Sequence, residues 1–254
     1  MKILITNDDG IFAPGIIPLV EWAKKHGEVT VVAPKIEQSG KSHAIEFVKP
    51  FEIKKVEIWD GVESYSCDST PADCVRFGIM GLGRSYDLIL SGINRGVNLG
   101  VDMIYSGTVA AVFEASYWKH RALAISTYPD NRDGAAAELE RIYNYIKENN
   151  LFEYNGIYNV NVPVSPKGIL ITRQGSPYFD DGFKHLGNDM YLQTGEMIPD
   201  EYPDDLSRDT VALANGYISI TPLTLSRINE AAFDALKAKN FKFCKELKLV
   251  NSSF

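Results

Sequence analysis

Short apolar runs alternate with amphipathic stretches over the first part of the chain. Residues 2–7 and 28–34 are nearly continuous apolar runs, and residues 16–26 between them repeat apolar positions at helical spacing. Buried strands joined by a helix are typical of a parallel sheet that is covered on both faces. The pattern therefore predicts an α/β fold, a Rossmann-like, doubly wound and mostly parallel sheet.

The same periodicities predict the elements that follow. Segments 51–59 and 62–66, joined at Asp60-Gly61, indicate a tight hairpin outside the main sheet. Further strands are predicted at 86–90, 121–127, 157–162, 168–172 and 216–221, and helices at 71–82, 108–118, 134–149 and 230–239.

These elements predict one domain over residues 1–254, with its core at about 1–174 and 211–239. The intervening segment, about 175–210, is rich in Gly, Asp, Pro and Tyr and has weak periodicity. Long irregular segments of this kind are usually functional. We therefore expect a functional or inter-subunit excursion that lies outside the core.

Composition narrows the functional classes. The 254 residues are 45% hydrophobic, and a net charge of −7 argues against binding to the backbone of duplex nucleic acid. Cys67, Cys74 and Cys244 lack metal-type spacing, so we expect reduced, buried thiols. The chain starts without the features of a signal peptide, and no apolar run reaches membrane-spanning length. A cytoplasmic protein is expected.

Asn7-Asp8-Asp9-Gly10 follows the first predicted strand directly. Two carboxylates at the carboxyl end of a parallel strand are suited to a hard cation, and such a cation assists chemistry on an oxyanion. The composition also suits an ordinary turn, and Asp180-Asp181-Gly182 repeats the triplet without a predicted strand before it. The motif alone leaves both interpretations open.

Two further loops are expected at the same edge of the sheet, at residues 39–42 and 91–102. Residues 91–100 are dense in Gly and Asn, which suits either a tight turn or a set of neutral oxygen ligands. Next, Ser106-Gly107-Thr108 opens a predicted helix, where backbone N–H groups could bind phosphate. The hydroxyls could equally cap the helix, and both roles can hold together.

The sequence lacks the motifs of several other catalytic mechanisms. The chain has four histidines, and neither a nucleophile elbow nor a zinc-protease motif occurs. Gly40-Lys41-Ser42 resembles the end of a P-loop, but Lys35 stands where that motif needs a glycine. Thr70 is best interpreted as a helix cap.

Several motifs together resemble the stationary-phase survival protein SurE family, which consists of metal-dependent nucleotidases. The resemblance extends in order through most of the chain. Its segments are ITNDDGIFAPGI (5–16), VVAP and SGKS (31–42), TPADCV (70–75), SGINRGVNLGVDMIYSGTVAAVFEA (91–115) and GYISITPL (216–223).

The resemblance implies hydrolysis of nucleoside 5′-monophosphates, and possibly of 3′-monophosphates, with one Mg²⁺ or Mn²⁺ ion per subunit. Its implied catalytic residues are Asp8 and Asp9. The implied metal ligands are Asp8, Asp9, Ser39 and Asn94. The implied phosphate-binding residues are Asn98, Ser106, Gly107 and Thr108. Homodimers or homotetramers that exchange the excursion are also implied.

The sequence departs from the family pattern at Ser69 and Ala115, where the family commonly has glycine. Direct hydrolysis by water is the favoured mechanism, in which Asp8 or Asp9 orients the water. One alternative is a phosphatase of the haloacid-dehalogenase kind with a covalent Asp8 intermediate. Gly10 disfavours it, since that motif places a second aspartate there. Another alternative is a nucleotide-binding protein without turnover.

Overall fold

The computed structural model describes residues 1–239 and contains a nine-stranded sheet. In chain order the strands are β1 (Lys2–Thr6), β2 (Glu28–Pro34), β3 (Ile53–Val56), β4 (Glu63–Cys67), β5 (Leu88–Arg95), β6 (Ala122–Thr127), β7 (Ile157–Val162), β8 (Gly168–Ile171), β9 (Phe179–Gly187), β10 (Met190–Met197) and β11 (Tyr217–Pro222). The sheet has the order β3-β4-β2-β1-β5-β6-β7-β11-β8, and β9 and β10 form a separate hairpin.

All neighbours in the large sheet are parallel except the β3–β4 and β7–β11 pairs. The helices are α1 (Ile16–Lys24), α2 (Pro71–Arg76), α3 (Gly107–Tyr117), α4 (Arg132–Glu148), α5 (Leu151–Tyr154), α6 (Asp209–Ala214) and α7 (Glu230–Lys239). A π-helical turn, Phe77–Gly81, continues α2, and a 3-10 turn, Gly100–Tyr105, precedes α3.

Successive residues of β1 enter two different cores. Ile3 and Ile5 pack in the cluster that includes α1 and α4, whereas Leu4 packs in the cluster that includes α2 and α3. Side chains alternate between the faces of a strand, so both faces of this sheet are covered by helices. The prediction of a doubly wound, mostly parallel α/β sheet is confirmed.

The hairpin predicted at residues 51–66 is confirmed, but its predicted position outside the main sheet is wrong. The turn exists, since Val62 N–H donates to Trp59 O (3.2 Å) and Gly61 has a φ of +72°. However, β4 pairs in parallel with β2 along Thr30 to Pro34, and β3 pairs with β4. The two strands therefore extend the sheet, because they satisfy the backbone groups that β2 would otherwise leave at an open edge.

Two other segments differ from prediction. The strand expected at 86–90 runs from Leu88 to Arg95, with a register shift between Gly92 and Asn94, so residues 91–95 of the loop predicted at 91–102 are strand. Asp180-Asp181-Gly182 lies inside β9 and is not a turn. The excursion at 175–210 thus consists mainly of the β9–β10 hairpin, and α6, which was not predicted, begins at its end.

The chain divides into a compact unit, Met1–Leu223, and a second unit that begins at Thr224 and contains α7. The single domain over 1–254 stays a prediction. Cys67 and Cys74 are buried free thiols, as predicted, and Cys244 lies outside the described residues. Up to residue 239, no helix is both long enough and apolar enough to cross a lipid bilayer.

Candidate active site

The Asn7-Asp8-Asp9-Gly10 motif forms a tight turn at the carboxyl end of β1. Asn7 Nδ2 donates to Gly10 O (2.8 Å), and Gly10 N–H donates back to Asn7 Oδ1 (3.1 Å). Gly10 has a φ of +108°, a conformation that side chains with a Cβ rarely adopt. Asn7 and Gly10 therefore make the turn, so the turn interpretation holds for them while Asp8 and Asp9 remain available for chemistry.

Asp8 is only 4% exposed and is held by the start of α3. Thr108 donates to its carboxylate twice, through its backbone N–H (3.2 Å to Oδ2) and through its hydroxyl to Oδ1. Burial raises the pKa of Asp8 to about 6, and the two hydrogen bonds from Thr108 oppose that rise. A carboxylate buried beside a cavity is costly unless a positive charge compensates it.

Within residues 1–239, no Lys, Arg or His forms an ion pair with Asp8. The close approach of α3 also requires glycine at position 107. A Cβ there would lie 2.9 Å from the Cβ of Asp8 and 3.1 Å from its Oδ2. Gly107 and Thr108 thus fix Asp8 from behind, in an environment suited to a cation ligand.

Asp9 has different neighbours from Asp8. It accepts a hydrogen bond from Arg95 N–H (3.3 Å), and burial raises its pKa. Its side chain lines a neighbouring cleft of about 490 Å³ together with Phe12 and Arg132. The two predicted catalytic aspartates therefore face adjacent spaces.

A cavity of about 460 Å³ opens beside Asp8, a volume suited to a small ligand. Five of the predicted site residues line it: Asp8, Ser39, Asn94, Asn98 and Ser106. They come from three separate segments, as expected when the carboxyl ends of parallel strands share one edge. Gly107 and Thr108 do not belong to its lining, because they lie behind Asp8.

Ser39 and Asn94 supply neutral oxygens at the cavity. Ser39 lies in an exposed loop and donates to Glu37 Oε1 (2.6 Å), while Gln38 N–H ties the loop to Asp8 O (2.7 Å). Asn94 Nδ2 donates to Gly96 O (2.8 Å), which orients the side-chain amide. Residues 1–239 contain no group of three or more His, Cys, Asp or Glu that could hold a metal. Of the four predicted metal ligands, Asp8, Ser39 and Asn94 line the cavity, and Asp9 lines the neighbouring cleft.

Ser106 is placed for both of the roles considered from its sequence position. Its Oγ accepts from Val109 N–H (3.1 Å) and so caps α3, and its side chain also lines the cavity. Because the first N–H groups of a helix point outward and carry partial positive charge, this end of α3 is suited to an anion.

The opposite wall of the cavity was found only in part from the sequence, since Asp102 ends the predicted loop 91–102 but no residue of the excursion was singled out for the site. Its residues are Asp102, Tyr178, Phe179, Asp181 and Gln193. Asp102 Oδ2 accepts from the backbone N–H groups of Tyr178 (2.6 Å) and Phe179 (2.9 Å), which fixes the root of the β9–β10 hairpin. Composition indicated a functional excursion at 175–210 but did not identify its site residues. Asp181 belongs to the Asp180-Asp181-Gly182 triplet, which resembled a turn in the sequence, and only the fold brings it to the cavity.

His43 belongs to a hydrogen-bonded cluster outside the lining of the cavity. Its Nε2 lies 2.8 Å from Glu114 Oε2, and Glu114 Oε1 accepts from Arg76 (2.9 Å) and Trp118 (2.8 Å). Burial raises the pKa of Glu114, but these hydrogen bonds more than offset it, so that pKa lies below its usual value. The cluster connects the loop that carries Ser39 to α3.

Comparisons with known proteins agree with this architecture. The family model described as "Survival protein SurE" matches residues 3–181. The 5′-nucleotidase SurE of Thermosipho africanus is 38% identical over 253 residues, 94% of this chain and 97% of that protein. The 5′-nucleotidase SurE of Thermoanaerobacter sp. is 39% identical over 239 residues, 88% of this chain and 92% of that protein.

A solved structure extends the match to three dimensions. The crystal structure of the SurE protein from Aquifex aeolicus aligns with a TM-score of 0.77 and 31% identity. The alignment covers 94% of this chain and 100% of the Aquifex chain. Because the family model, the relatives and the solved structure each span most of the residues, this chain belongs to the SurE family.

Proposed function

We propose that the protein is a 5′-nucleotidase, a phosphoric monoester hydrolase that converts nucleoside 5′-monophosphates into nucleoside and inorganic phosphate. Nucleoside 3′-monophosphates are further candidate substrates. The observation that carries the proposal is the buried Asp8 carboxylate, which lines a cavity of about 460 Å³ beside the N-terminal end of α3. The relatives named 5′-nucleotidase SurE support the same class of reaction.

Asp8, Asp9, Ser39 and Asn94 would hold one divalent cation per subunit, Mg²⁺ or Mn²⁺. All four offer oxygen donors, which these hard cations prefer. Asp8 fits the role further because it is buried without an ion-pair partner in residues 1–239. When bound, the cation neutralises charge on the phosphoryl group and acidifies water.

The remaining groups bind the phosphoryl oxygens and arrange the water. Asn98, Ser106 and the first N–H groups of α3, including that of Gly107, donate to the oxygens on which negative charge develops. Thr108 acts at the same site by holding Asp8 through two hydrogen bonds. Asp8 or Asp9 orients the attacking water, and one carboxylate oxygen of Asp9 is already engaged by Arg95 N–H.

The nucleoside lies against the opposite wall of the cavity. Tyr178 and Phe179 offer aromatic surface for stacking on the base, and Asp181 and Gln193 offer polar groups for its edge or for the ribose. Gly195 stands opposite Asp181 in the hairpin, and a Cβ there would lie 2.8 Å from Asp181 Oδ1. The glycine therefore leaves room for the Asp181 carboxylate.

The proposal includes a homodimer or homotetramer in the cytoplasm, with neither a membrane nor duplex nucleic acid as a partner. Large apolar side chains on the β9–β10 hairpin support self-association, since Phe183 is 75% exposed and Tyr191 and Leu192 are more than half exposed. Patches of this kind usually mark interaction sites.

The test is release of inorganic phosphate from a panel of nucleoside 5′- and 3′-monophosphates with magnesium, manganese or cobalt. We expect turnover that a chelator abolishes and that added metal restores. The same panel identifies the preferred base, phosphate position and metal. A folded protein that releases no phosphate from any nucleotide with any of these metals would overturn the proposal.

A further inference from the structure

We propose that Asn159 and Asn161 are positioning residues that hold the Asn98 peptide in place for phosphate binding. The inference rests on the proposed function, because Asn98 is a candidate phosphate ligand there. Neither residue lines the cavity, so both would act through Asn98.

The alternation along β7 is unusual for a buried strand. Tyr158, Val160 and Val162 pack in the core beneath α1 and α4, so Asn159 and Asn161 point to the other face. A strand that alternates polar and apolar residues normally has its polar face in water. Here both asparagines are 0% exposed. A buried amide is costly unless it is hydrogen-bonded, so these two side chains need specific partners.

Their partners are the backbone groups of Asn98. Asn161 Oδ1 accepts from Asn98 N–H (2.8 Å), and Asn161 Nδ2 donates to Asn98 O (2.9 Å). Asn159 Nδ2 donates to the same carbonyl (2.7 Å). The amide of Asn161 thus pairs with both backbone groups of one residue, as the backbone of a neighbouring strand would do.

The side chain of Asn98 is fixed as well. Its Nδ2 donates to Ser126 Oγ (2.8 Å). Ser126 is the second-last residue of β6 and lies near the carboxyl end of that strand. Ser126 is opposite Asn161 in the β6–β7 pairing, so both contacts come from one level of the sheet. Backbone and side chain of Asn98 are therefore held together by two adjacent parallel strands.

Asn98 needs this external support because its own segment has no regular structure. Residues 97–99 belong to neither helix nor strand, and they lie between Gly96 (φ +137°) and Gly100 (φ +54°). Donors that are fixed before the reaction need no reorganisation as charge develops. A displacement of about 1 Å at a catalytic group can cost about 100-fold in rate. Anchoring Asn98 to the sheet supplies that precision.

The main test is Asn161→Asp. The variant keeps the size of the side chain and an oxygen that accepts from Asn98 N–H, but it replaces the donor to Asn98 O. We expect kcat for a nucleoside monophosphate to fall roughly 10–100-fold, the usual scale for groups that orient a ligand-binding residue. KM should rise less than the affinity for free phosphate falls, because the base and the ribose also contribute to substrate binding and the lost interaction is strongest in the transition state.

A double variant separates positioning from general damage to the fold. Asn98→Ala alone removes the side chain that Asn161 positions. In that background Asn161→Asp should cause little further loss of kcat, because the two residues act as one unit.

Ser126→Ala offers a second way to release Asn98 should Asn161→Asp fail to fold. It removes only the hydroxyl that accepts from Asn98 Nδ2, and we expect a smaller fall in kcat.

Asn131→Asp is the matched control. Asn131 Nδ2 donates to Thr127 Oγ1 (2.9 Å) and Pro163 O (3.1 Å), so it also joins the ends of β6 and β7, but it does not contact Asn98. We expect wild-type kcat from this variant, even if its melting temperature falls as far as that of Asn161→Asp.

Calorimetric titration with inorganic phosphate and Mn²⁺ keeps this inference separate from the proposed function. Phosphate affinity should fall in Asn161→Asp and Ser126→Ala and stay unchanged in Asn131→Asp, whether or not the wild type hydrolyses nucleotides. The positioning role would be overturned if Asn161→Asp kept wild-type kcat and wild-type phosphate affinity. It would also be overturned if the losses of kcat from Asn98→Ala and Asn161→Asp multiplied in the double variant. A wild-type protein that binds no phosphate would also overturn the positioning role, whereas the proposed function is judged by phosphate release from nucleotides.

Discussion

Asp8, on the floor of the cavity, is 4% exposed, whereas Phe179 on the opposite wall is 39% exposed. The floor lies at the carboxyl ends of β1 and β5 and at the start of α3, so regular elements fix Asp8, Asn94 and Ser106. The wall stands on a hairpin outside the main sheet. The difference separates the two tasks of the proposed enzyme: rigid groups act on the phosphate, and an adaptable surface receives the nucleoside.

The largest effect is expected at the floor, from Asp8→Asn. Removing a buried carboxylate from the candidate metal site should lower kcat by about 1000-fold, the upper range for loss of a key electrostatic group. The melting temperature should change little in the absence of metal, because the amide needs no compensating cation. Phosphate release and thermal unfolding measure the two quantities. Retention of full activity in the folded variant would remove Asp8 from the mechanism.

A smaller loss is expected from Thr108→Val, which keeps the shape of the side chain and removes the hydroxyl that donates to Asp8. We expect kcat to fall roughly 10–100-fold, as for other groups that orient a ligand. Thr108→Ser, which keeps the hydroxyl, is the control and should stay within a few-fold of wild type. Equal losses in the two variants would contradict a role through Asp8.

On the wall, Tyr178→Ala should raise KM and leave kcat nearly unchanged. Stacking on an aromatic side chain contributes about 1–3 kcal/mol per base, so KM should rise about tenfold or more. Ribose 5-phosphate, which lacks a base, is the matched control substrate, and its KM should not change. A fall in kcat for both substrates would place Tyr178 with the floor and break the division between the two regions.

The smallest effect on turnover is expected from Glu114→Gln, behind the cavity. Glu114 has a lowered pKa, so its charge stabilises the fold above the ordinary carboxyl pKa, and this stabilisation is lost as pH falls through the lowered value. Urea unfolding should show lower stability of the variant at pH 7 and a weaker dependence on pH below about 4.5. Turnover at pH 7 should change only a few-fold. Identical pH dependence in the two proteins would contradict the assignment.

The sequence was sufficient to predict that Asp8, Ser39 and Asn98 would meet, because strands of a parallel sheet present their carboxyl ends at one edge. It could not predict that Asp9 lines a neighbouring cleft or that Thr108 lies behind Asp8. Those facts depend on side-chain directions set by packing, such as the contact of Gly107 with Asp8.

Two other features escaped prediction for a different reason. The mixed polar and apolar residues of β4 resemble a surface hairpin, and only its pairing with β2 shows that it extends the sheet. Asn159 and Asn161 resemble an exposed face by their alternation, although both are buried. A polar alternation inside an otherwise apolar sheet is the signal that could have identified them, once the position of β7 was known.

The Asp102 carboxylate holds one end of the β9–β10 hairpin and leaves the other end unattached to it. Its bonds to the N–H groups of Tyr178 and Phe179 fix the root, while the turn at Asn188 and Asp189 is exposed. In amide hydrogen exchange, the N–H groups of Tyr178 and Phe179 should be protected and those near the turn should exchange quickly. A partner that covers the tip would slow its exchange without moving the two aromatic rings at the cavity, so assembly and nucleotide binding can be followed separately in one protein.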